Sequence, residues 1–556
     1  MGVEDEQRTD EATIENSLPV SDDEVPATLN YLKGRRLWLV FASYVEILHG
    51  TLIKVAFEVA IDLDIGLVTF EIPVVATSIV AITNDLGGAD ESSWLLTSYL
   101  LGYVAFIVLS SKLSDIYGRQ SLFAACILLF LIASAVCSAA QTINQLIIFR
   151  AFQGLGGGGA YSLGTIITTE LFPMTRVPTA TARLSIAVSL GLLLGPVIGG
   201  VISAKTTWRW IFIINVPFSA ICLACILFGM PRDFPFQGQP NHLQNNHISR
   251  SAKSTFQRLD IPGAVLLLFA ILALTSGFEE AGSQFPWKSA YVITLLVLGG
   301  VLAILLLIWE RRTTIADGIR EPILPWRFFT NRSISGILFT FFFLGGPFVI
   351  SVYQLPQRFQ LVNGLSGLDA GVRLIPFTFA SPVGTGFAAT ISGRLKIPPI
   401  WIILVGAVLQ VIGFALLGTL PITTDLLPRT YGFEIIAGFG CGMNLALLFV
   451  IVPQVSEKRD RAVAMGSASQ FRMMGSAVAA AVVNSVYNGY TRPHLAAIGV
   501  ANILSAPTSL ENVSNGDEIK LIYAEGYNRQ MIVLAVFAAA QIPAALLLWK
   551  RPQIRV

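Results

Sequence analysis

Lys112-Leu113-Ser114-Asp115-Ile116-Tyr117-Gly118-Arg119-Gln120 is a short charged turn between two long apolar runs, 94–110 and 122–140. Two such runs cannot both hide in one soluble core, and each approaches the roughly 20 residues that a helix needs to cross a bilayer. The turn then sits at a membrane surface. There a carboxylate and a guanidinium a few residues apart can reach neighbouring helix ends and latch them.

Composition agrees with that reading. Of 556 residues, 54% are apolar and 13% charged, with mean hydropathy +0.67; soluble proteins carry about 25% charge. The chain therefore reads as an all-α multispan membrane protein. Its net charge of +2 is spread between apolar runs without a basic tract, so nucleic acid is not an expected partner. The five cysteines, Cys126, Cys137, Cys222, Cys225 and Cys441, all fall in apolar runs, as thiols packed among helices do. Cys222-x-x-Cys225 lacks the polar activator that a redox pair needs. Residues 1–30 hold nine acids and one Arg with no apolar core, which reads as a disordered cytosolic tail and not a cleaved signal.

Apolar runs place spans near 65–83, 93–111, 121–140, 145–169, 184–204, 209–229, 261–278, 289–309, 333–353, 369–390, 399–420, 430–452, 464–487 and 530–549, fourteen in all. An even number puts both termini on one side. The side that holds the N-terminus carries 24 Lys and Arg against 8 on the other, so both termini are expected in the cytosol. The organisation read from these spans is an acidic tail at 1–36, an uncertain insert at 37–64, a six-span bundle at 65–229 and a cytosolic linker at 230–260. Two extra spans at 261–309 and a cytosolic loop at 310–332 follow. A second six-span bundle occupies 333–549, with an extracellular loop at 488–528, and a short cytosolic tail takes 550–556.

One region resists this scheme. Residues 37–82 are broadly apolar, about 70 Å if helical, yet Glu46, His49, Lys54, Glu58, Asp62 and Asp64 interrupt them. An interfacial helix and a gene-model error such as a retained intron both account for the excess, the second slightly preferred.

Several runs carry more than hydropathy. Residues 149–161 read Phe-Arg-Ala-Phe-Gln-Gly-Leu-Gly-Gly-Gly-Gly-Ala-Tyr, and 154–159 satisfy G-x-G-x-x-G. No strand precedes it, so the dinucleotide reading fails. Small residues at helical spacing allow close helix contact in a membrane instead. Arg150, Gly154, Gly157 and Tyr161 share one face. A buried Arg costs about 2.5–3.5 kcal/mol or more to insert, so Arg150 should face a cavity or a carboxylate. Gly191, Gly195 and Gly199 recur every four residues, with Pro196 bending the helix and Gly200 following.

Leu113-Ser114-Asp115-x-x-Gly118-Arg119 resembles the signature loop between spans 2 and 3 of the major facilitator superfamily, with Ser111 in place of its leading Gly and Gln120 in place of its second basic residue. Arg150-x-x-Gln153-Gly154 is similar to that family's span-4 motif, where the Arg is tied to proton coupling. Gly191-Leu192-Leu193-Leu194-Gly195-Pro196-Val197-Ile198-Gly199-Gly200 resembles the antiporter signature of its drug exporters. Trp208-Arg209-Trp210-Ile211-Phe212-Ile213-Ile214-Asn215-Val216-Pro217, Asn84-Asp85-Leu86-Gly87-Gly88 and Glu321-Pro322-Ile323-Leu324-Pro325 extend the likeness to fourteen-span drug:proton antiporters, fungal exporters of mycotoxins and other secondary metabolites above all, over residues 65–490.

The resemblance implies two six-helix bundles plus two extra central spans, with substrate bound between the bundles near the midplane. It implies a proton-coupled exporter, acting as a monomer on a hydrophobic small molecule, in the plasma membrane or a vacuolar or vesicular one. No cofactor or metal is implied. Glu71 stands where the family commonly has an Asp, which makes Glu71 and Arg150 the candidate proton-coupling pair. Asp115, Gly118 and Arg119 form the gate, with Asp115 expected to cap a helix and Arg119 to pair with Glu170. Gly191, Gly195, Pro196, Gly199 and Gly200 make the antiporter motif. Tyr99, Gln153, Gln354, Arg373, Asn444, Gln470 and Arg472 are candidate cavity residues, and Tyr353 and Glu434 are further polar groups in apolar runs. Gly345-Gly346-Pro347 is a candidate hinge.

Other classes fit less well. No G-x-x-x-x-G-K-[ST] loop supports an ATP-driven pump, and the four His are scattered, which argues against an enzyme. Uptake of a siderophore or amino acid is the main alternative and a transporter-like sensor a lesser one. The topology predicts that any glycan sits on Asn512 and none on Asn331. Glycosidase treatment should collapse a mobility shift that Asn512→Gln abolishes and Asn331→Gln leaves alone; a glycan on Asn331 inverts the topology.

Overall fold

The computed structural model describes residues 51–87, 94–172, 176–230, 260–281, 285–316, 320, 322–457, 460–498, 516–551 and 553. The acidic tail, most of the 230–260 linker and Asn512 lie outside them. Among the described residues the regular elements are helical, with one isolated bridge between Ala281 and Phe285.

The first bundle is built from α1 (Thr51–Ala76), α2 (Ile79–Leu86), α3 (Trp94–Tyr117), α4 (Arg119–Ser138), α5 (Ile143–Leu171), α6 (Val177–Lys205), α7 (Arg209–Ile213) and α8 (Asn215–Gly229). Then come α9 (Ile261–Glu280), α10 (Ala290–Ala316) and the short α11 (Arg327–Thr330). The second bundle holds α12 (Arg332–Gly345), a π-helical turn (Gly346–Ile350), α13 (Ser351–Leu361), α14 (Gly367–Arg373), α15 (Ile375–Leu395), α16 (Pro399–Gly418), α17 (Arg429–Val455), α18 (Arg461–Ala497) and α19 (Gly516–Leu546). Two ends of the molecule are named here by their turns, the Gly118 end and the Gly87 end.

Among the described residues eleven helical stretches are long and apolar enough to cross a bilayer. α1, α5 and α18 fall outside that group because they carry the polar side chains of the interior: Asp64 and Glu71, Arg150 and Gln153, Gln470 and Arg472, all buried. Polarity here marks the inside of the bundles.

Three boundaries differ from the sequence reading. The first run does not begin at 65: α1 is continuous from Thr51, so the 64/65 boundary of the supposed insert falls within a helix. Asp64 is buried in it and Asp62 faces Arg183 at 3.7 Å. Pro73 then breaks the ladder, and the chain turns at Thr77–Ser78 before α2. At the other extreme, the supposed loop 488–528 is shortened from both sides, because α18 runs to Ala497 and α19 starts at Gly516. Val362, Leu495, Ile519, Tyr523, Ala524 and Tyr527 form a separate apolar cluster that stabilises these extensions. The loop at 310–332 is likewise entered by α10, which continues to Ala316.

Glycines set how closely the helices approach. A Cβ on Gly154 or Gly158 would strike the carbonyls of Tyr99 and Tyr103, so α5 lies directly on α3. The second bundle repeats this: a Cβ on Gly438 or Gly442 would strike the carbonyls of Phe377 and Ser381, seating α17 on α15. The antiporter glycines Gly191, Gly195 and Gly199 seat α6 on α1, against Gly66, Pro73 and Val74, whereas Gly200 faces open space. Gly118 has φ 94°, a left-handed conformation that glycine adopts without strain, which lets α3 reverse directly into α4.

The extra pair is not wholly peripheral. α10 is the outer member, with Val297, Val301, Ile304 and Ile308 exposed, whereas α9 packs on both α3 and α18. Glu310 accepts the amides of Ile323 (3.2 Å) and Leu324 (3.1 Å), which anchors the 321–325 motif. The expected hinge at Gly345-Gly346-Pro347 coincides with the π-helical turn, where Pro347 withholds an amide and Gly345 packs on the Arg472 carbonyl.

Gly158→Val should cost about 1–3 kcal/mol or more through overpacking, read as a lower melting midpoint of the detergent-purified protein. Gly200→Ala should leave that midpoint within experimental scatter; equal behaviour of the two variants would refute the close-contact assignment.

Candidate functional site

The first site lies inside the first bundle. Arg150 is fully buried, and its Nη1 donates to Glu71 Oε1 at 2.5 Å and to Gln153 Oε1 at 2.9 Å, while Nε donates to the Leu95 carbonyl at 3.0 Å. The guanidinium stacks over the Tyr99 ring at 4.4 Å, a cation–π contact in a desolvated setting. Glu71 is equally buried, and its Oε2 accepts from Asn215 Nδ2 at 2.5 Å. Gln153 donates on to Ser134 (2.8 Å), and Tyr99 donates to the Val68 carbonyl (3.1 Å). One charge pair thus ties α1, α3, α5 and α8 together. Removing one partner of such a pair costs about 3–5 kcal/mol, because the other is left charged and buried.

Asn215 is the member that the sequence reading missed. It lies within the 208–217 run, where a lone amide in an apolar stretch is the available signal. Its carboxylate partner, 144 residues away, was not readable from spacing.

The gate residues meet at the Gly118 end. Arg119 is buried and donates in a fork to Glu170, Nε to Oε2 at 3.0 Å and Nη2 to Oε1 at 2.9 Å. Its Nη1 reaches Asp115 Oδ1 at 2.6 Å and Ser114 Oγ at 2.5 Å. Asp115 therefore makes an ion pair within the turn in place of the expected helix cap, since Arg119 lies one helical turn beyond it. Gln120 donates to the carbonyls of Ile226 and Leu227, both at 3.1 Å, and so satisfies the frayed end of α8. Ser111 bonds Ser162 at 2.8 Å and lies against Gly466 of the second bundle.

A second latch lies at the Gly87 end, within the first bundle. Arg209 Nη1 (2.7 Å) and Trp208 Nε1 (2.9 Å) both donate to Asp85 Oδ2, which joins two of the sequence motifs. The hydrogen bond from Arg209, then that from Trp208, holds the Asp85 carboxyl below its usual range.

Between the bundles lies a small cavity of about 30 Å³, room for about two waters, lined by Tyr161, Thr165, Ser185, Leu445, Phe449 and Met465 among others. None of the seven candidate cavity residues lines it. Tyr99 and Gln153 belong to the Arg150 cluster. Asn444 donates to Gln541 (2.8 Å) in a buried amide network with Gln410, and Arg373 donates to Tyr431 (2.5 Å). Gln354 donates to Asn484 at 3.5 Å. Arg472 stands at the cavity's edge and donates to the Tyr161 hydroxyl at 2.9 Å. Gln470 is buried with neither amide atom partnered, as are the hydroxyls of Tyr103, Ser467 and Ser469. Orphaned polar atoms of this kind call for a partner. The bundles touch on both sides of this centre, α14 against α6 with Gly371 on Val197, and Thr385 against Ser185 at 3.5 Å.

Two helical bundles with a small cavity between them and a buried ion pair inside a multi-pass membrane protein are the build of a transporter. The Major Facilitator Superfamily model matches residues 65–281 and 281–480, and the chain belongs to that superfamily. It is 35% identical over 502 residues to the MFS-type transporter FPY5 of Fusarium mangiferae, covering 89% of this chain and 83% of that one. To Multidrug resistance protein 3 of Bacillus subtilis it is 31% identical over 413 residues, 74% of this chain and 75% of the relative. Efflux pump roqT of Penicillium rubens is 29% identical over 462 residues, 82% of each. The fold matches the crystal structure of the human organic anion transporter MFSD10 with TM-score 0.53 at 15% identity, covering 86% of this chain and 98% of that one.

The Asp85 latch has a defined acid response. A carboxyl held low when folded contributes stability above its unfolded value, about 4, and loses it as pH falls through the lower folded value. Asp85→Asn should therefore flatten the fall of the melting midpoint below about pH 4; identical wild-type and variant profiles would dismiss the latch.

Proposed function

We propose that the protein is a proton-coupled antiporter that exports a hydrophobic small molecule, such as a fungal secondary metabolite, toxin or drug. The observation that carries this reading is the buried Glu71–Arg150–Asn215 cluster. An alternating-access exporter needs a carboxyl whose proton occupancy depends on its neighbours. A guanidinium on α5 and an amide at the start of α8 supply neighbours that helix motion can withdraw. With the pair intact, Glu71 is stabilised as the anion; with Arg150 drawn away, the buried carboxyl takes a proton. The glycine strip of α6 on α1 allows those helices to slide without losing contact. Relatives named as efflux pumps and a multidrug resistance protein favour the outward direction.

In this reading α1, α5 and α18 complete fourteen crossings with both termini in the cytosol, and the monomer is the working unit. The Arg119–Glu170–Asp115 cluster holds the cytosolic side shut while the other side opens. Substrate binds at the centre, where Tyr103, Tyr161, Gln470 and Arg472 offer polar atoms among Phe348 and Phe449.

Proteoliposomes with an imposed pH difference, a panel of lipophilic fluorescent dyes and a trapped pH indicator provide the test. Wild type should move at least one dye with opposite proton flow. Glu71→Gln should reduce gradient-driven movement at least tenfold while eluting as a single species. Full transport by Glu71→Gln, or equal transport with the gradient collapsed, would overturn the proposal.

A further inference from the structure

The second bundle contains a buried acid that the scheme above leaves unused. Glu434 lies on α17, four residues before Gly438 and eight before Gly442. Arg150 holds the same register on α5, four before Gly154 and eight before Gly158. Both glycine pairs seat their helix on carbonyls four residues apart in the neighbouring helix, Tyr99 and Tyr103 in one bundle, Phe377 and Ser381 in the other. Glu434 is thus the counterpart of Arg150 with its charge reversed. The partner is reversed too. Arg150 meets an acid from the first helix of its bundle, whereas Arg358, from α13 of the second bundle, lines a small cavity together with Thr430, one helical turn before Glu434 on α17.

The two sites differ in how they are satisfied. Both oxygens of Glu71 accept a hydrogen bond. Glu434 is fully buried, and neither of its oxygens has a hydrogen-bond partner; Nη1 of Arg358, itself buried, has none either. An ionised carboxylate without donors is costly in an apolar interior, and an approaching guanidinium relieves that cost. Protonation of Glu434 and the approach of Arg358 are therefore linked. A small cavity lies one helical turn away. Arg358 lines a second cavity of about 10 Å³, close to the size of one water, with Asn363, Thr423, Asp425 and Thr430 at the Gly87 end.

Other ionisable groups on the surrounding helices are engaged or distant. Tyr487, Tyr523 and Tyr527 of α18 and α19 pack together, with Tyr527 beside Arg358. Arg373 is held by Tyr431, and Arg472 by Tyr161. α16 brings no ionisable side chain, and the basic residues of α6, α12 and α15 lie towards helix ends, at Arg183, Lys205, Arg332 and Arg394. Arg358 is the charge that acts on Glu434.

We propose that Glu434, one helical turn from the cavity that Arg358 lines, is a second proton site of this transporter, reached from the Gly87 end through that cavity. The proposal rests on the reading of the protein as proton-coupled. A hydronium ion of the Gly87-end compartment gives its proton to a carboxylate oxygen and leaves as water, which frees Arg358 from its counter-charge. Release of that proton to water restores the pair.

An infrared pH titration of the full-length protein in liposomes tests this, with the proton as the probe. Wild type should show a carboxylic-acid carbonyl band that disappears as pH rises. Glu434→Gln should lack that band and Glu71→Gln should keep it. Arg358→Gln should move its midpoint to higher pH by about 1–3 units, since an opposite charge that favoured the anion is gone. A Glu434→Gln spectrum equal to wild type at every pH overturns the proposal, as does a band that Glu434→Gln removes but that never titrates. If Glu434→Gln does not elute as a single species, an unshifted midpoint in Arg358→Gln overturns it instead. Failure of the Glu71 scheme would appear as intact dye export by Glu71→Gln with the Glu434 band still present, so the two failures are separable.

Discussion

A guanidinium that no water reaches, Arg150, organises the first bundle. It has to be neutralised and hydrogen-bonded where it stands, and four helices contribute to that: Glu71 from α1, the Leu95 carbonyl and Tyr99 ring from α3, Gln153 from α5 itself, and Asn215 of α8 through Glu71. Apolar packing alone tolerates helix rotation and sliding in a membrane, where lipid is as greasy as leucine. A buried charge pair does not. It fixes register, and it creates a place where movement of one helix changes the electrostatics of another.

Close glycine contacts supply the complementary property. α5 on α3 and α17 on α15 approach backbone to backbone, as does α6 on α1. Such surfaces are smooth as well as tight, so a bundle can tilt as a body. The same helix pair is glued in the same way in each bundle, which exposes the pseudo-symmetry even where side chains have diverged. Against that common frame the departures stand out, chiefly the exchange of an Arg for a Glu at corresponding positions.

The contacts between the bundles and the small cavity between them belong together. With the bundles in contact at Gly371–Val197 and at Thr385–Ser185, only about 30 Å³ remains between them, in the half nearer the Gly118 end. Cargo of any size requires one end to part. The interactions at the Gly118 end are buried and forked, whereas Asp85 and Arg209 are partly exposed, with side-chain exposures of 50% and 29%. Water screens the second set more strongly than the first.

The sequence by itself determined the membrane-spanning all-α architecture, the turn at Gly118, the glycine surfaces and the need for a partner to Arg150. Each follows from local physics: run length against bilayer thickness, spacing around a helix, and the cost of burying a charge. The meeting of Arg119 with Glu170 was also legible, because opposite charges stood at the ends of helices expected to be neighbours. Asn215 as the partner of Glu71, the placing of Arg358 near Glu434 and the residues that line the small cavity between the bundles were not, since they depend on which helix faces meet across separations of many tens of residues. The extension of α18 and α19 past the expected loop was hidden for a similar reason, as its stability comes from Tyr487, Tyr523 and Tyr527 packing on one another. Sequence fixes what each helix must bury; only the tertiary arrangement decides against what it is buried, because that choice is made by all the helices at once.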